Sequence, residues 1–292
     1  MQFYAIVPTR GEKFIGGIKM LKVFFQFSYC MYYIRVIIPL LLVQSFLFSE
    51  QYYVNGDIGD DTNDCESPST PCKTITKGIE RAGEDGDEVI ISALSARGKY
   101  FENLRIRKSI TIKSADPLNP AIIDGSQSSS SYNKSCIIVD SPSNVQLIHP
   151  TIKDLEITGG KGTDVIGDHG LDGLPNTNDF GEGNGLLDAN EKVKKVGGGI
   201  LVIGANLTSK GNIIKGNGDD VGLDNSGECK GGGGGGVFAG DDGLAIGDNN
   251  ADDPPNPHYN APRGSSILIE NNVFSDNKSV TNFSSSIFPA SD

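Results

Sequence analysis

The sequence predicts an all-β fold, a right-handed parallel β-helix (solenoid) with an N-terminal capping helix and long Gly/Asp-rich inserted loops. Three observations lead there. After position 50 the apolar residues fall in very short alternating runs, punctuated by Gly, Asn, Asp, Ser and Pro. One unit recurs: Gly197-Gly198-Gly199-Ile200 is echoed by Gly234-Gly235-Gly236-Val237. Each copy leads into a matching tail, Gly211-Asn212-Ile213-Ile214-Lys215-Gly216-Asn217 and then Asn271-Asn272-Val273-Phe274-Ser275-Asp276-Asn277.

Before the repeats lies a different kind of chain. Arg35 precedes an apolar run from Val36 to Phe48, and Ser49 closes it. A basic flank, a short apolar stretch and a small residue are the parts of a secretory signal peptide. Met31 or Met20 would start it, so residues 1–49 are expected to be an upstream extension plus signal. The run is short for a membrane span, which needs ~20 residues, and no later segment is apolar enough to span a membrane, so no span is expected in the mature chain.

From Gln51 an N-terminal cap is expected over 50–86. Tyr52-Tyr53-Val54 is a strand, a polar loop runs to Pro71, and Thr74 is placed as a helix N-cap with Ile75, Ile79 and Ala82 on one face. Cys65 and Cys72 flank a Pro-containing turn and are expected to form a disulfide, as export allows. The partners of Cys136 and Cys229 stay open.

The β-helix proper is expected over 87–280. Ile106, Ile112, Ile138, Leu147, Ile157, Val202, Ile214 and Ile269 are assigned to one continuous core. Stacked coils lie ~4.8 Å apart, so like residues fall in register. Asn217 and Asn277 should then stack at a corner. Residues 281–292 form a Ser-rich tail with no clear capping helix, expected to mark a truncation point.

Two stretches break the repeat, at about 163–196 and 217–262. Between Gly162 and Glu191 there are seven acidic residues and no Lys or Arg; between Asn217 and Pro262 there are nine acidic residues and one Lys. Both read as loops projecting from the rod, a natural place for function. Without residues 1–49 the chain carries 20 basic and 36 acidic groups, a net of −16. That charge repels nucleic acid and anionic membranes, so no nucleic-acid partner is expected. In the first stretch Asp168, Asp172, Asn176, Asn178, Asp179, Glu182, Asn184 and Asp188 alternate with Gly. Oxygen ligands on a tightly turning loop suit calcium. The strict Asp-x-Asp-x-Asp-Gly spacing is absent, so a solvated acidic loop remains the alternative.

The stretch Tyr52 to Lys113, with Tyr-Val at the first strand, Pro71-Cys72-Lys73-Thr74-Ile75, Asp87-Glu88-Val89-Ile90-Ile91 and Tyr100-Phe101-Glu102-Asn103, resembles the opening module of secreted right-handed β-helix (pectin-lyase-like) proteins. The Gly-Gly-Gly-Ile and Phe274-x-x-Asn277 elements resemble repeats of polymorphic outer-membrane and adhesin-like proteins. The resemblance covers most of 51–160 and 197–280. It implies a secreted or cell-surface stalk, or a glycan-binding protein without catalysis, with an extracellular glycan or cell-surface partner. It also brings a second reading, a polysaccharide lyase or glycoside hydrolase. Asp219-Asp220, His169-Gly170 and Asn176-Thr177-Asn178-Asp179 echo the hydrolases of that superfamily, but in the wrong order. Lyases there use an Arg or Lys base, and no Arg occurs between Ser109 and Pro262. Lys153, Lys210 and Lys215 read as solvated, and His149, His169 and His258 as isolated surface residues. No catalytic residue is assigned.

Overall fold

The computed structural model describes residues 49–83, 85–127, 133–141, 147–167, 193–218, 234–240, 244–246 and 265–279. The chain divides into 1–48 and 49–292. The first unit, with the expected signal peptide, lies outside the described residues.

The chain enters on β1 (Gln51–Val54) and crosses a loop to α1 (Ile75–Arg81). Thr74 starts α1 because its side chain accepts a hydrogen bond from the Lys77 N–H. The Glu102 carboxylate takes two more of the helix's first N–H groups, those of Ile75 and Thr76. Ile75, Ile79 and Ala82 are buried, and α1 packs on β1. A disulfide joins Cys65 to Cys72 across a Cα–Cα distance of 5.1 Å. Cys136 is a buried free thiol, and burial pushes it up to about 12.

Coils then follow one another. The first holds β2 (Glu88–Ile91), β3 (Lys99–Tyr100) and β4 (Leu104–Ile106). The second holds β5 (Thr111–Ser114), β6 (Ile122–Asp124), the short β7 (Asn133–Lys134) and β8 (Ile137–Asp140). The third holds β9 (Thr151–Lys153), β10 (Glu156–Thr158), β11 (Gly162–Gly167), β12 (Val193–Val196) and β13 (Ile200–Ile203). The fourth holds β14 (Asn206–Lys210), β15 (Ile213–Lys215) and β16 (Val237–Gly240). After β17 (Leu244–Ile246) come β18 (Ser266–Glu270) and β19 (Val273–Ser275).

Strands of successive coils pair in parallel and make three sheets. Sheet A is β1-β2-β5-β9-β14-β18, sheet B is β3-β6-β10-β15-β19, and sheet C is β4-β8-β13-β16. The described residues are therefore mostly β, with parallel sheets stacked as a solenoid and few helices. The inward row of sheet B is Tyr100, Ile123, Ile157, Ile214 and Phe274, each in register with the next. Sheets A and C add Val89, Ile112 and Ile152, and Leu104, Ile137 and Ile200, to the same core.

Asparagines hold the corners. The Asn217 side chain accepts from the Gly160 N–H and donates to the Ile157 carbonyl of the coil below; Asn277 accepts from the Asn217 N–H and donates to the Ile214 carbonyl. A second ladder, which the sequence reading missed, runs at the A–B corner. Asn212 accepts from the Leu155 N–H, and Asn272 accepts from the Asn212 N–H. Ser209 faces inward in the row of Ile152 and is satisfied there by Asn212.

Three of the expected core positions differ. Ile138 faces outward on sheet C, because Ile137 and Val139 take the inward positions of that strand. Leu147 is only half-buried and lies outside any strand. Ile269 shares the inward row of Ile152 and Ser209 but is 49% exposed, since it lies on the last described rung. The stretches expected as loops also carry strands. β11 and β12 form an antiparallel ribbon, joined by β17 and β7. Val165 and Val196 of this ribbon pack on Ile138, Leu201 and Ile203, the outer face of sheet C. Within 217–262, β16 belongs to a regular coil, paired with β13.

Replacing Ile157 by Asp would bury an unpaired carboxylate between Ile123 and Ile214, and cooperative urea unfolding should be lost or shifted far toward zero denaturant. Asn217→Ala strands the Gly160 N–H and the Ile157 carbonyl, so the unfolding free energy from the same titration should fall by about 2–4 kcal/mol.

Candidate functional site

The outer face of sheet B is the candidate site. Alternation sends Tyr100, Ile123, Ile157 and Ile214 inward, so their neighbours face out in two rows. One row is Lys99, Ile122, Glu156, Ile213 and Val273; the other is Asp124, Thr158, Lys215 and Ser275. Phe101 follows Tyr100 and stands 50% exposed beside the second row.

The charges on this face are ordered. Lys99 Nζ lies 2.6 Å from Asp124 Oδ2. Glu156 lies between Lys215 Nζ at 3.0 Å and Arg97 Nη2 at 3.2 Å. Both carboxylate side chains are only 6% exposed, while the three cations project into solvent. Arg97 comes from a tight turn over Ser95–Arg97 in which Ala96 and Arg97 have positive φ. It spans the rung of Ile122 to reach Glu156, and Ile122 is buried although it faces outward.

Electrostatics separate the carboxyls. Burial alone would raise the Asp124 carboxyl. The hydrogen bonds from Lys99 and from the Ser126 side chain and backbone outweigh it and hold the group below the ordinary range. On sheet A the Glu88 carboxyl is lowered by its bond from Lys113. On sheet C the fully buried Asp140 takes guanidinium bonds from both Arg105 and Arg107.

Most residues singled out from sequence lie outside the described ones. Asp168, Asp172, Asn176, Asn178, Asp179, Glu182, Asn184 and Asp188 lie outside the described residues, as do Asp219, Asp220, His169, His258 and Cys229. Among the described residues no group of three or more His, Cys, Asp or Glu could hold a metal ion. His149 is exposed, outside any strand or helix. Lys153 and Lys210 sit on sheet A, and only Lys215 joins the sheet B face. Phe101, Asp124 and Glu156 were not singled out from the sequence as site residues. The signal for them was the alternation itself, since Ile122-Ile123-Asp124 and Leu155-Glu156-Ile157 put carboxylates beside inward Ile.

No family model and no curated protein matches the chain. Among solved structures it is similar to a GH136 lacto-N-biosidase from Eubacterium ramulus, at 15% identity and a TM-score of 0.42. The match covers 78% of this chain and 34% of that one, so this chain spans about a third of that enzyme's length. Similarity at that level assigns neither activity nor substrate. Among the described residues no helix is long and apolar enough to cross a membrane.

The lowered Asp124 carboxyl has a consequence for acid stability. Its folded pKa lies below the unfolded value, so its contribution is complete above the ordinary Asp range and is lost as pH falls through the lowered value. Melting temperature followed from neutrality to about pH 2 should fall more steeply for the native protein than for Asp124→Asn. Parallel curves would remove the Lys99–Asp124 link as a source of stability.

Proposed function

We propose that this chain is an exported right-handed β-helix protein, secreted or held at the cell surface, that binds glycan on the outer face of sheet B and acts as a rigid stalk without catalysis. The observation that carries this reading is Phe101, half-exposed beside a row of ion-paired polar side chains. The C–H face of a sugar ring packs on an aromatic ring, and fixed polar groups beside it bind hydroxyls. Because Lys99, Arg97 and Lys215 are anchored by buried carboxylates, those donors are held in place before a ligand arrives.

A glycosidase reading has one observation in its favour. Asp124 and Glu156 are two carboxylates on neighbouring strands of one face, and glycoside hydrolysis uses such a pair. Hydrolysis needs one of the two held protonated, with a raised pKa. Asp124 is shifted the other way, so it does not fit the acid's part. This supports binding over cleavage.

A glycan array probed with the full-length chain should give a restricted set of ligands, and Phe101→Ala should weaken them at least tenfold while leaving the melting temperature nearly unchanged. Release of reducing or unsaturated sugar from those ligands, abolished by Asp124→Asn or Glu156→Gln, would replace binding by catalysis.

Calcium is proposed as a weak ligand of the acidic stretch 163–191, with a dissociation constant on the order of 10⁻⁴–10⁻³ M as in other extracellular modules. Asp164 is not counted among its ligands, because it lies on β11 and is paired with Lys195 at 2.5 Å. Calcium should protect residues 168–191 from proteolysis where magnesium does not, and Asp172→Ala with Asp179→Ala should remove the protection. Identical digestion patterns in calcium and in chelator would exclude it.

A further inference from the structure

The charges on the outer face of sheet B do not balance. Its two outward rows, with the turn beside them, bring three cations, Arg97, Lys99 and Lys215, against two carboxylates. Lys99 and Asp124 pair one to one. Glu156 is shared. Its Oε2 takes a hydrogen bond from Arg97 Nη2, and its Oε1 faces Lys215 Nζ. One carboxylate neutralises one cation, so a positive charge is left over at Glu156. Sheet A differs, since Lys113 has Glu88, Lys153 has Asp154 and Lys210 has Glu270.

The two signs are also layered. The Asp124 and Glu156 side chains are buried, while the cations stand in solvent above them. A ligand reaching this face meets positive groups first. Arg97 is the most open of the three, with 62% of its side chain exposed. It spends one nitrogen on Glu156, and its Nε and Nη1 donate to no described residue.

The backbone fixes where that guanidinium stands. Ala96 and Arg97 have φ of 51° and 54°. A left-handed conformation is uncommon outside Gly, and here two residues adopt it in succession. Such backbone persists where its surroundings over-determine it, and it gathers at ligand clamps. The turn is pinned at both ends. The Ser95 N–H donates to Asp57 Oδ2 of the cap loop at 2.8 Å, and the Gly98 N–H donates to the Ser95 carbonyl at 3.0 Å. Arg97 is thus held at its base by the turn and at its tip by Glu156, with unspent donors turned to solvent. A guanidinium presents a planar fork that matches two anionic oxygens with two parallel hydrogen bonds. Glu156 lies two rungs from Lys99 and Tyr100, the rung that Phe101 follows. The Arg97 tip is therefore on the order of 10 Å along the rod from the aromatic ring, two strand spacings.

We propose that Arg97 makes this face selective for acidic glycans. It binds the carboxylate or sulfate of a sugar unit farther along the chain than the unit packed on Phe101. The inference rests on the glycan-binding reading of sheet B and names the class of glycan.

The full-length chain is tested on an array of matched acidic and neutral forms of the same backbones. Hyaluronan and chondroitin sulfate, with their carboxyl-reduced and desulfated forms, are among the probes. Acidic members should bind about tenfold or more tightly than their neutral matches, the worth of one hydrogen bond to a charged group. The carboxyl-reduced and desulfated arms show which anion Arg97 takes. Arg97→Gln should remove that acid-to-neutral preference. Arg97→Lys keeps the charge but loses the fork, so it should restore the preference only in part, and it decides the matter if Arg97→Gln fails to fold. Equal binding of acidic and neutral members, or a preference unchanged in the Arg97 variants, would overturn the proposal and leave glycan binding standing. Binding to no glycan at all would remove the glycan reading itself, and this proposal with it.

Discussion

The whole structure hangs on register between coils. A coil contributes one or two inward aliphatic side chains per sheet and cannot bury them alone. Burial becomes complete only when Ile123, Ile157 and Ile214 lie directly over one another. A slip of one residue would exchange the inward Ile157 for the outward Glu156. The Asn ladders resist such a slip. Each Asn amide bonds to backbone of the coil below, and a side chain of that length reaches it in one register.

The same constraint organises the surface. Once the inward rows are fixed, the outward residues become ladders, whatever their chemistry. Where opposite charges fall on neighbouring strands they pair, as Lys99 does with Asp124 and Lys113 with Glu88. Where a Thr-x-Lys segment recurs at the same phase, the lysines stack. Sheet C takes another solution. Its outer face carries Ile138, Leu201 and Ile203, too apolar for water, and the ribbon of β11 and β12 covers them.

Much of this was legible in the sequence, for physical reasons. The recurring Gly-Gly-Gly-Ile and the paired Asn tails mark equivalent points on successive coils, and they exposed the period. Inward and outward sides were read correctly at Ile106, Ile112 and Ile157, where polar neighbours alternate with them, and the inward side also at Val202 and Ile214, which the repeat places. Alternation failed at Cys136-Ile137-Ile138-Val139, an unbroken apolar run, because both faces of that strand are covered and no polar residue marks the phase. The ribbon was missed because its strands lie inside Gly- and Asp-rich stretches and pair with one another at long range. The sheet B face was missed for a different reason. Phe101, Asp124 and Glu156 are 23 and 32 residues apart along the chain, and only the coil closes those intervals.

The A–B corner carries a meaning for how such a chain can change length. Asp154, Gly211 and Asn271 each turn it with a single residue of positive φ, and the next residue begins the locking contact to the coil below. An added residue there would rotate every following side chain out of phase. At the other two corners the connections range from one described turn residue pair to long stretches, and the strands after them still find their partners. From the third coil on, the A–B connection is fixed at two residues, whereas in the first two coils β2 to β3 and β5 to β6 are joined by seven residues each. A lineage of such chains can vary its loops elsewhere while the Asn-locked part of this edge, from β9 onward, stays a straight, regularly spaced rule.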